Sequence, residues 1–174
     1  MGFMRHTFVA GALLLAGTAL HATDVSMAGG SISFSTPDSW VGIMETQGDP
    51  EVRVFQVRDP SPTANNSLAR VTVTVKQVAD VGDFQLYVDT ATGKAKSLSG
   101  YKAINSVTNT RGPSTFEYTA QENGVQFAYL ERYWMKDNHA VQLRCVRPAQ
   151  SQAGAGWRAE FDKGCEAVSV GLQK

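Results

Sequence analysis

The stretch "VQFAYLERYWM", residues 125–135, decides the fold because it carries large apolar side chains on both of its sides. Alternate residues of a β-strand point to opposite faces of the sheet. Phe127 and Tyr129 therefore share one face, whereas Leu130 and Trp134 share the other. A strand with one face in water would instead alternate apolar with polar residues. The stretch predicts a sheet that is covered, at least in part, on both faces.

Three neighbouring segments of the second half also have strand composition. They are residues 101–108, 114–121 and 140–147, and the short turns "RGP", "ENG" and "KDNH" separate the four segments. Strands joined by such short turns pair as antiparallel neighbours. We therefore predict a four-stranded antiparallel meander with 125–135 as its third strand.

The first half is also dominated by strand patterns. Between residues 68 and 78, valines alternate with threonines, and this period of two predicts a half-buried strand. Three shorter predicted strands precede it, at residues 31–35, 40–45 and 51–57.

Two segments have the apolar spacing of helices. In the first, the spacing runs from Phe84 to Leu98, with Asp83 as the expected N-cap and Gly93 as a point where the helix could bend or end early. The second, from about Trp157 to Val170, closes the chain. Together these patterns predict an α+β fold, an antiparallel β-sheet flanked by helices on both faces.

The N-terminus reads as an export signal. A single arginine in "MGFMRH" precedes an apolar run that is too short to span a bilayer. Cleavage after Ala22 removes residues 1–22, and cleavage after Ala28 is the alternative. Thr18 stands where a lipid-carrying cysteine would be in "LAGT". We expect a soluble periplasmic protein with no membrane anchor, whose residues 29–174 lie in a single domain.

The charge balance narrows the classes of partner. The chain has 16 basic and 16 acidic residues, without a long run of either sign, and the leader removes only Arg5. Nucleic acids and anionic membranes attract proteins with a clear basic excess. The composition therefore argues against both as main partners.

The two cysteines, Cys145 and Cys165, are predicted to form a disulfide. One ends a predicted strand and the other lies in the closing helix. In an oxidising compartment, an even number of cysteines most simply pairs. The bridge would act as a staple across the flexible segment "AQSQAGAG".

No catalytic or metal-binding group is predicted, and no cofactor. His139 is the one histidine that remains once the leader is removed. Zinc sites usually need several Cys and His ligands, and one histidine with two cysteines far apart in sequence does not provide them. Glu117 and Glu131 are the candidate acid and base of a carboxylate-dependent hydrolase, although an ion pair across strands or a position at the sheet edge is the expected role of Glu131. Core packing is expected for the large aromatic residues, with a ligand pocket or partner hot spot as the alternative. These residues are Trp40, Tyr101, Tyr133 and Trp134.

Three pieces of the sequence resemble the Mog1/PsbP-like fold family. They are "ISFSTPDSW", "FQLYVDTATGKAKSLSGYKAI" and the closing "VQLRCVRPA…W…FDKGCEAVSVGL". The resemblance implies an antiparallel sheet sandwiched by helices. Among the uses of that fold, bacterial periplasmic immunity proteins fit best with an export signal.

The resemblance implies a non-enzymatic protein that binds and neutralises a cognate secreted antibacterial effector. Surface loops carry such contacts, so the turn-rich loop 58–67 is the expected interface, with Arg58, Asp59, Asn65 and Asn66 as candidate partner-binding residues. Two alternatives remain, a carrier of small molecules or lipids and the carboxylate-dependent hydrolase.

Overall fold

The computed structural model describes residues 22–61 and 69–174. Thr18, Asn65 and Asn66, on which three of the expectations rest, lie outside these ranges. The described elements, in chain order, are β1 (Ala22–Met27), β2 (Ile32–Pro37), β3 (Trp40–Thr46), β4 (Glu51–Val57), β5 (Ala69–Gln77), α1 (Val81–Lys96), β6 (Lys102–Val107), β7 (Ser114–Glu122), β8 (Val125–Lys136), β9 (His139–Pro148) and α2 (Gly154–Leu172).

Most of the strands form one antiparallel sheet. Its seven strands lie in the order β3-β4-β5-β9-β8-β7-β6, which confirms the predicted meander from β6 to β9. Strand β5 pairs with β9 over its whole length and so joins the two halves of the chain. The strand 125–135 therefore lies well inside the sheet, as its apolar residues on both faces require.

Strands β1 and β2 form a separate hairpin. The sequence predicted β2 but not β1, because residues 22–27 fall beside the predicted cleavage sites. The hairpin contributes Met27, Ile32 and Phe34 to the core. The backbone N–H of Ala28 donates to Oε2 of Glu51 at 2.7 Å, which ties the end of β1 to β4. The segment that follows Ala22 is therefore part of the folded unit.

The largest apolar cluster lies between the hairpin, the sheet and α2. Val71, Val73 and Leu143 contribute from the sheet, and Phe161 and Leu172 contribute from the helix. The indole of Trp40 stacks on Phe161 with ring centroids 6.4 Å apart. A methyl group on Gly164 would come within 2.6 Å of that indole, so the close approach of α2 requires glycine there.

Helix α1 packs on a second set of side chains. Phe84 and Val88 contact a cluster that includes Tyr133 and Ala140. The N-cap is Asp80, which corrects the expectation of Asp83: the carboxylate of Asp80 accepts from the N–H of Asp83 at 3.0 Å. Asp83 in turn accepts from the N–H of Ala79, the residue before the cap, at 3.1 Å. The helix continues through Gly93 without a break.

The fold is dominated by its sheet. It is a mostly antiparallel β structure with two helices, which confirms the α+β class. Every residue of the edge strand β6 is exposed, so the helices leave part of the sheet uncovered.

The predicted disulfide is confirmed. Cys145 of β9 is bonded to Cys165 of α2, and both residues are buried. The bridge crosses from the sheet to the closing helix.

Candidate functional site

A cleft of about 430 Å³ lies between α1 and the sheet. Tyr87, Lys94 and Leu98 line it from the helix side, and Glu131 and Arg144 line it from the sheet. The cleft thus combines a helical wall of apolar and polar side chains with a charged floor. Pockets of this size hold small molecules in many proteins.

The carboxylate of Glu131 is the most buried charge at the cleft, with 2% of the residue exposed. It accepts a hydrogen bond from the hydroxyl of Tyr118 at 2.7 Å and another from the hydroxyl of Tyr133. Nε of Arg144, opposite it on β9, lies 3.0 Å from Oε1. An ion pair across strands is therefore present, with Arg144 as the partner of Glu131. A buried charge needs such partners, because unpaired it would cost several kcal/mol.

A stacked pair of tyrosines connects the hydrogen bonds around Glu131 to a second carboxylate on the sheet. Tyr118 and Tyr129 face each other across β7 and β8, with ring centroids 4.6 Å apart and nearly parallel planes. The hydroxyl of Tyr129 donates to Glu122, which also pairs with Arg70 at 2.5 Å. Two carboxylates are thus held by a common aromatic pair.

The tyrosines of the network stay protonated. Burial raises the pKa of Tyr133 and of Tyr118 well above the ordinary value, and the nearby carboxylate of Glu131 raises both further. Burial works to lower the pKa of Arg144, but Glu131 holds that pKa above its usual value. At neutral pH both hydroxyls therefore remain donors to Glu131, and Arg144 gives the floor of the cleft a fixed positive charge.

Burial also acts on Glu122, whose pKa it tends to raise. The hydroxyl of Tyr129 and the guanidinium of Arg70 overcome that effect and lower the pKa of Glu122 below its ordinary value. This carboxylate is ionised at neutral pH.

A second candidate site is a groove of about 500 Å³ between the hairpin and the edge strand β3. Val25, Ile43, Met44 and Phe55 are apolar members of its lining. The pairing of β3 with β4 slips between Gly42 and Met44, so that Ile43 forms a bulge. Ile43 and Met44 are consecutive and both about half exposed, and Val41 beside them is 59% exposed. Such exposed apolar clusters mark interaction surfaces.

The base of the predicted binding loop lies next to this edge, because Val57 pairs with the first residue of β3. Arg58 is exposed, and its carbonyl accepts from the indole N–H of Trp157 at 3.1 Å. Asp59 is buried: its carboxylate accepts from the hydroxyl of Ser151 at 2.8 Å and from the N–H of Ser61 at 2.9 Å. Asp59 thus anchors the loop to the segment before α2, and Arg58 presents its side chain to solvent.

The two candidate hydrolase carboxylates are not brought together. Glu117 lies opposite Leu130, whereas Glu131 bonds to the neighbouring Tyr118. Since successive residues of a strand point to opposite faces, Glu117 and Glu131 lie on different faces of the sheet. His139 begins β9, where it is paired with Gln77 of β5.

The aromatic residues considered for a binding pocket belong to the core. Trp40, Tyr133 and Trp134 are buried, and Tyr101 is partly buried against Tyr118 with ring centroids 5.1 Å apart. The expected core packing is confirmed for the three buried rings.

In residues 22–61 and 69–174, no group of three or more His, Cys, Asp or Glu side chains could hold a metal ion. No helix in the same ranges is long and apolar enough to cross a membrane.

Sequence reasoning missed Arg144 and Tyr118 as partners of Glu131. A signal was present, since a meander with short turns places 114–121 and 140–147 on either side of 125–135. The sequence did not show the register of these strands. A slip of one residue would move the side chain of Arg144 to the other face of the sheet.

Among known proteins, solved structures provide the evidence on the fold. No protein-family model matches the chain, and no curated protein sequence matches it. Solved structures do match. The cyanobacterial PsbP, CyanoP, from Synechocystis sp. PCC 6803 has a TM-score of 0.55 at 13% identity and covers 90% of this chain and 96% of its own.

Two other solved structures are similar at lower scores. PA94, a protein of unknown function from Pseudomonas aeruginosa, has a TM-score of 0.48 at 16% identity, over 85% of this chain and 95% of its own. LpqN of Mycobacterium tuberculosis, which is involved in cell envelope biogenesis, has a TM-score of 0.49 at 16% identity, over 88% of both chains. The match to CyanoP shows that the chain has a PsbP-like fold.

Proposed function

We propose that the protein is a non-enzymatic binding module that is exported to the periplasm and neutralises a cognate secreted antibacterial effector by forming a complex. The observation that carries this proposal is the exposed apolar edge at β3. Val41, Ile43 and Met44 together leave about half of their surface in water, and a free protein gains from burying such a patch against a partner.

The contact is made by side chains rather than by an added strand. Regular edge strands accept a partner strand through their free backbone groups, but a bulge interrupts that pattern. The bulge at Ile43 directs the apolar side chains outward. Arg58 supplies a cation at the end of β4, which is paired with β3, and the bonds of Arg58 to Trp157 and of Asp59 to Ser151 hold the backbone there before binding.

We also infer an α/β/α layering that separates this surface from the cleft. Leu143 and Cys145 of β9 belong to the cluster packed on α2, whereas Gln142 and Arg144 line the cleft beside α1. Alternate residues point to opposite faces, which supports one helix over each face.

Export requires removal of the leader, and cleavage after Ala22 fits the fold better than cleavage after Ala28. The later site would remove β1, including the buried Met27 and its hairpin partners.

The test expresses the chain with its leader in cells that receive a candidate effector, a secreted protein encoded beside its gene. Survival of the cells and calorimetric titration of the two purified proteins are measured. We expect Ile43→Glu to abolish protection and binding, and Arg58→Ala to weaken both. Val170→Glu is the matched control, since Val170 is an equally exposed apolar residue on α2. Absence of binding to every neighbouring secreted protein would refute the proposal, as would equal loss in the control.

A further inference from the structure

We infer that the cleft between α1 and the sheet is a binding site for a small amphiphilic anion, a carboxylate or phosphate headgroup on a short apolar chain. This inference does not depend on the proposed complex, because the cleft is lined by α1, β5, β8 and β9 and not by β3.

The charges that reach the cleft are mainly positive. Lys76, Lys94 and Arg144 line it, with Glu131 as the acidic member. Glu131 is buried, and its oxygens are occupied by Arg144 and by two tyrosine hydroxyls. Arg144 keeps about a third of its side chain exposed. An entering ligand therefore meets the guanidinium, while the carboxylate behind it is engaged by protein groups.

Glu131 and Tyr129 hold the guanidinium in a defined position. Nε lies 3.0 Å from Oε1 of Glu131, an ion pair without the alignment of a hydrogen bond, and Cζ lies 5.3 Å from the centroid of the Tyr129 ring. An arginine fixed by a carboxylate and an aromatic ring loses little freedom when it binds an anion. Planar guanidinium groups bind carboxylates and phosphates with paired hydrogen bonds.

The rim adds two more cations. Lys94 is exposed on α1 and makes no ion pair among the residues that the structure describes. Lys76 on β5 lies 3.3 Å from Asp49 in an exposed pair, the kind that contributes little to stability and is easily exchanged. Both ammonium groups are thus available to an anionic headgroup.

Part of the helical wall of the cleft is apolar. Ala91 and Ala95 are one turn apart on α1, Leu98 follows just after the helix ends, and all three line the cleft. They can cover a short hydrocarbon chain but give it no hydrogen-bond partner. The combination of cations and an apolar wall selects an amphiphile over an inorganic anion.

The test is calorimetric titration of the mature protein with octanoate, octyl phosphate and octanol, each below its micelle-forming concentration. We expect saturable one-to-one binding of at least one anion and no saturable binding of octanol; the better of the two anions identifies the headgroup. Amide chemical shifts should change along α1 and around Arg144. Octanol bound as tightly as octanoate, or no saturable anion binding, would overturn the inference.

Lys94→Glu provides the decisive variant, because the residue is exposed and its replacement leaves the core intact. We expect the Kd for the bound anion to rise about tenfold, the effect of replacing an attractive charge by a repulsive one at short range. Lys96→Glu is the matched control, on the same helix but outside the lining. Equal effects of the two variants would show that only the overall charge of the helix matters and would refute a local site.

Discussion

Replacing Glu131 by glutamine tests the buried network most directly. The substitution keeps the shape but removes the charge, so Arg144 loses its ion-pair partner at 3.0 Å. Breaking a buried pair costs about 3–5 kcal/mol, and the partial exposure of Arg144 brings this to about 2 kcal/mol. One of the two tyrosine hydroxyls would then face the N–H₂ of the new glutamine instead of an oxygen, and the lost hydrogen bond costs about 1 kcal/mol. The expected loss of unfolding free energy is about 3 kcal/mol.

Urea unfolding followed by circular dichroism measures this loss. With a slope of about 2 kcal/mol per molar, the midpoint should fall by about 1.5 M. Glu117→Gln is the control, since Glu117 is partly exposed and accepts only a long hydrogen bond, at 3.5 Å, from Nδ2 of Asn105; its cost should be below about 0.5 kcal/mol.

A double substitution then separates the charge from the packing. Adding Arg144→Met to Glu131→Gln removes the unpaired cation and should recover part of the lost stability. Equal midpoints for the Glu131 and Glu117 variants would refute the reasoning, and so would a further loss in the double variant.

Three other predictions concern the disulfide, the packing of α2 against Trp40, and the stability of the protein in acid. Cys145→Ser should lower the unfolding free energy by about 3 kcal/mol, because the bridge closes a loop with a sequence separation of 20 residues; an unchanged melting temperature with and without reductant would contradict this. Gly164→Ala should cost about 1–3 kcal/mol through its clash with Trp40, whereas Gly156→Ala on the same helix has open space and should change stability by less than about 1 kcal/mol; equal effects would show that the close approach is unimportant. Because the folded pKa of Glu122 lies below its unfolded value, its contribution to stability is present above the unfolded pKa and is lost as pH falls through the folded pKa. Tyr129→Phe should raise that folded pKa, as read from the carboxyl carbon shift in an NMR titration, and an unchanged titration would argue against the hydrogen bond.

Local patterns were sufficient for most of the secondary structure. The alternation of valine and threonine in β5 and the helical spacing in α1 reflect side-chain periods that hold whatever the partner element is. Short turns imposed antiparallel pairing from β6 to β9. The disulfide also followed from the sequence, because two cysteines allow only one pairing within a chain.

Other features depended on contacts between distant segments. The hairpin of β1 and β2 was missed in part because residues 22–27 carry no feature that separates them from the end of a leader. Asp80 and Asp83 were both acceptable caps, and the choice depended on where the first helical hydrogen bond formed. The segment around Asp59 has the composition of a surface loop, but the side chain of Asp59 is buried and accepts a hydrogen bond from Ser151.

The sequence by itself determined the α+β class, the meander, the two helices and the cysteine bridge, since each arises from a local period, a short turn or a unique pair. Only the tertiary structure decided that Glu131 pairs with Arg144, that Tyr118 and Tyr133 donate to it, and that the cluster forms the floor of a cleft under α1. The physical reason is register. Which residues of adjacent strands face each other, and on which face, changes with a shift of a single position, and that shift is set by the packing of the whole sheet.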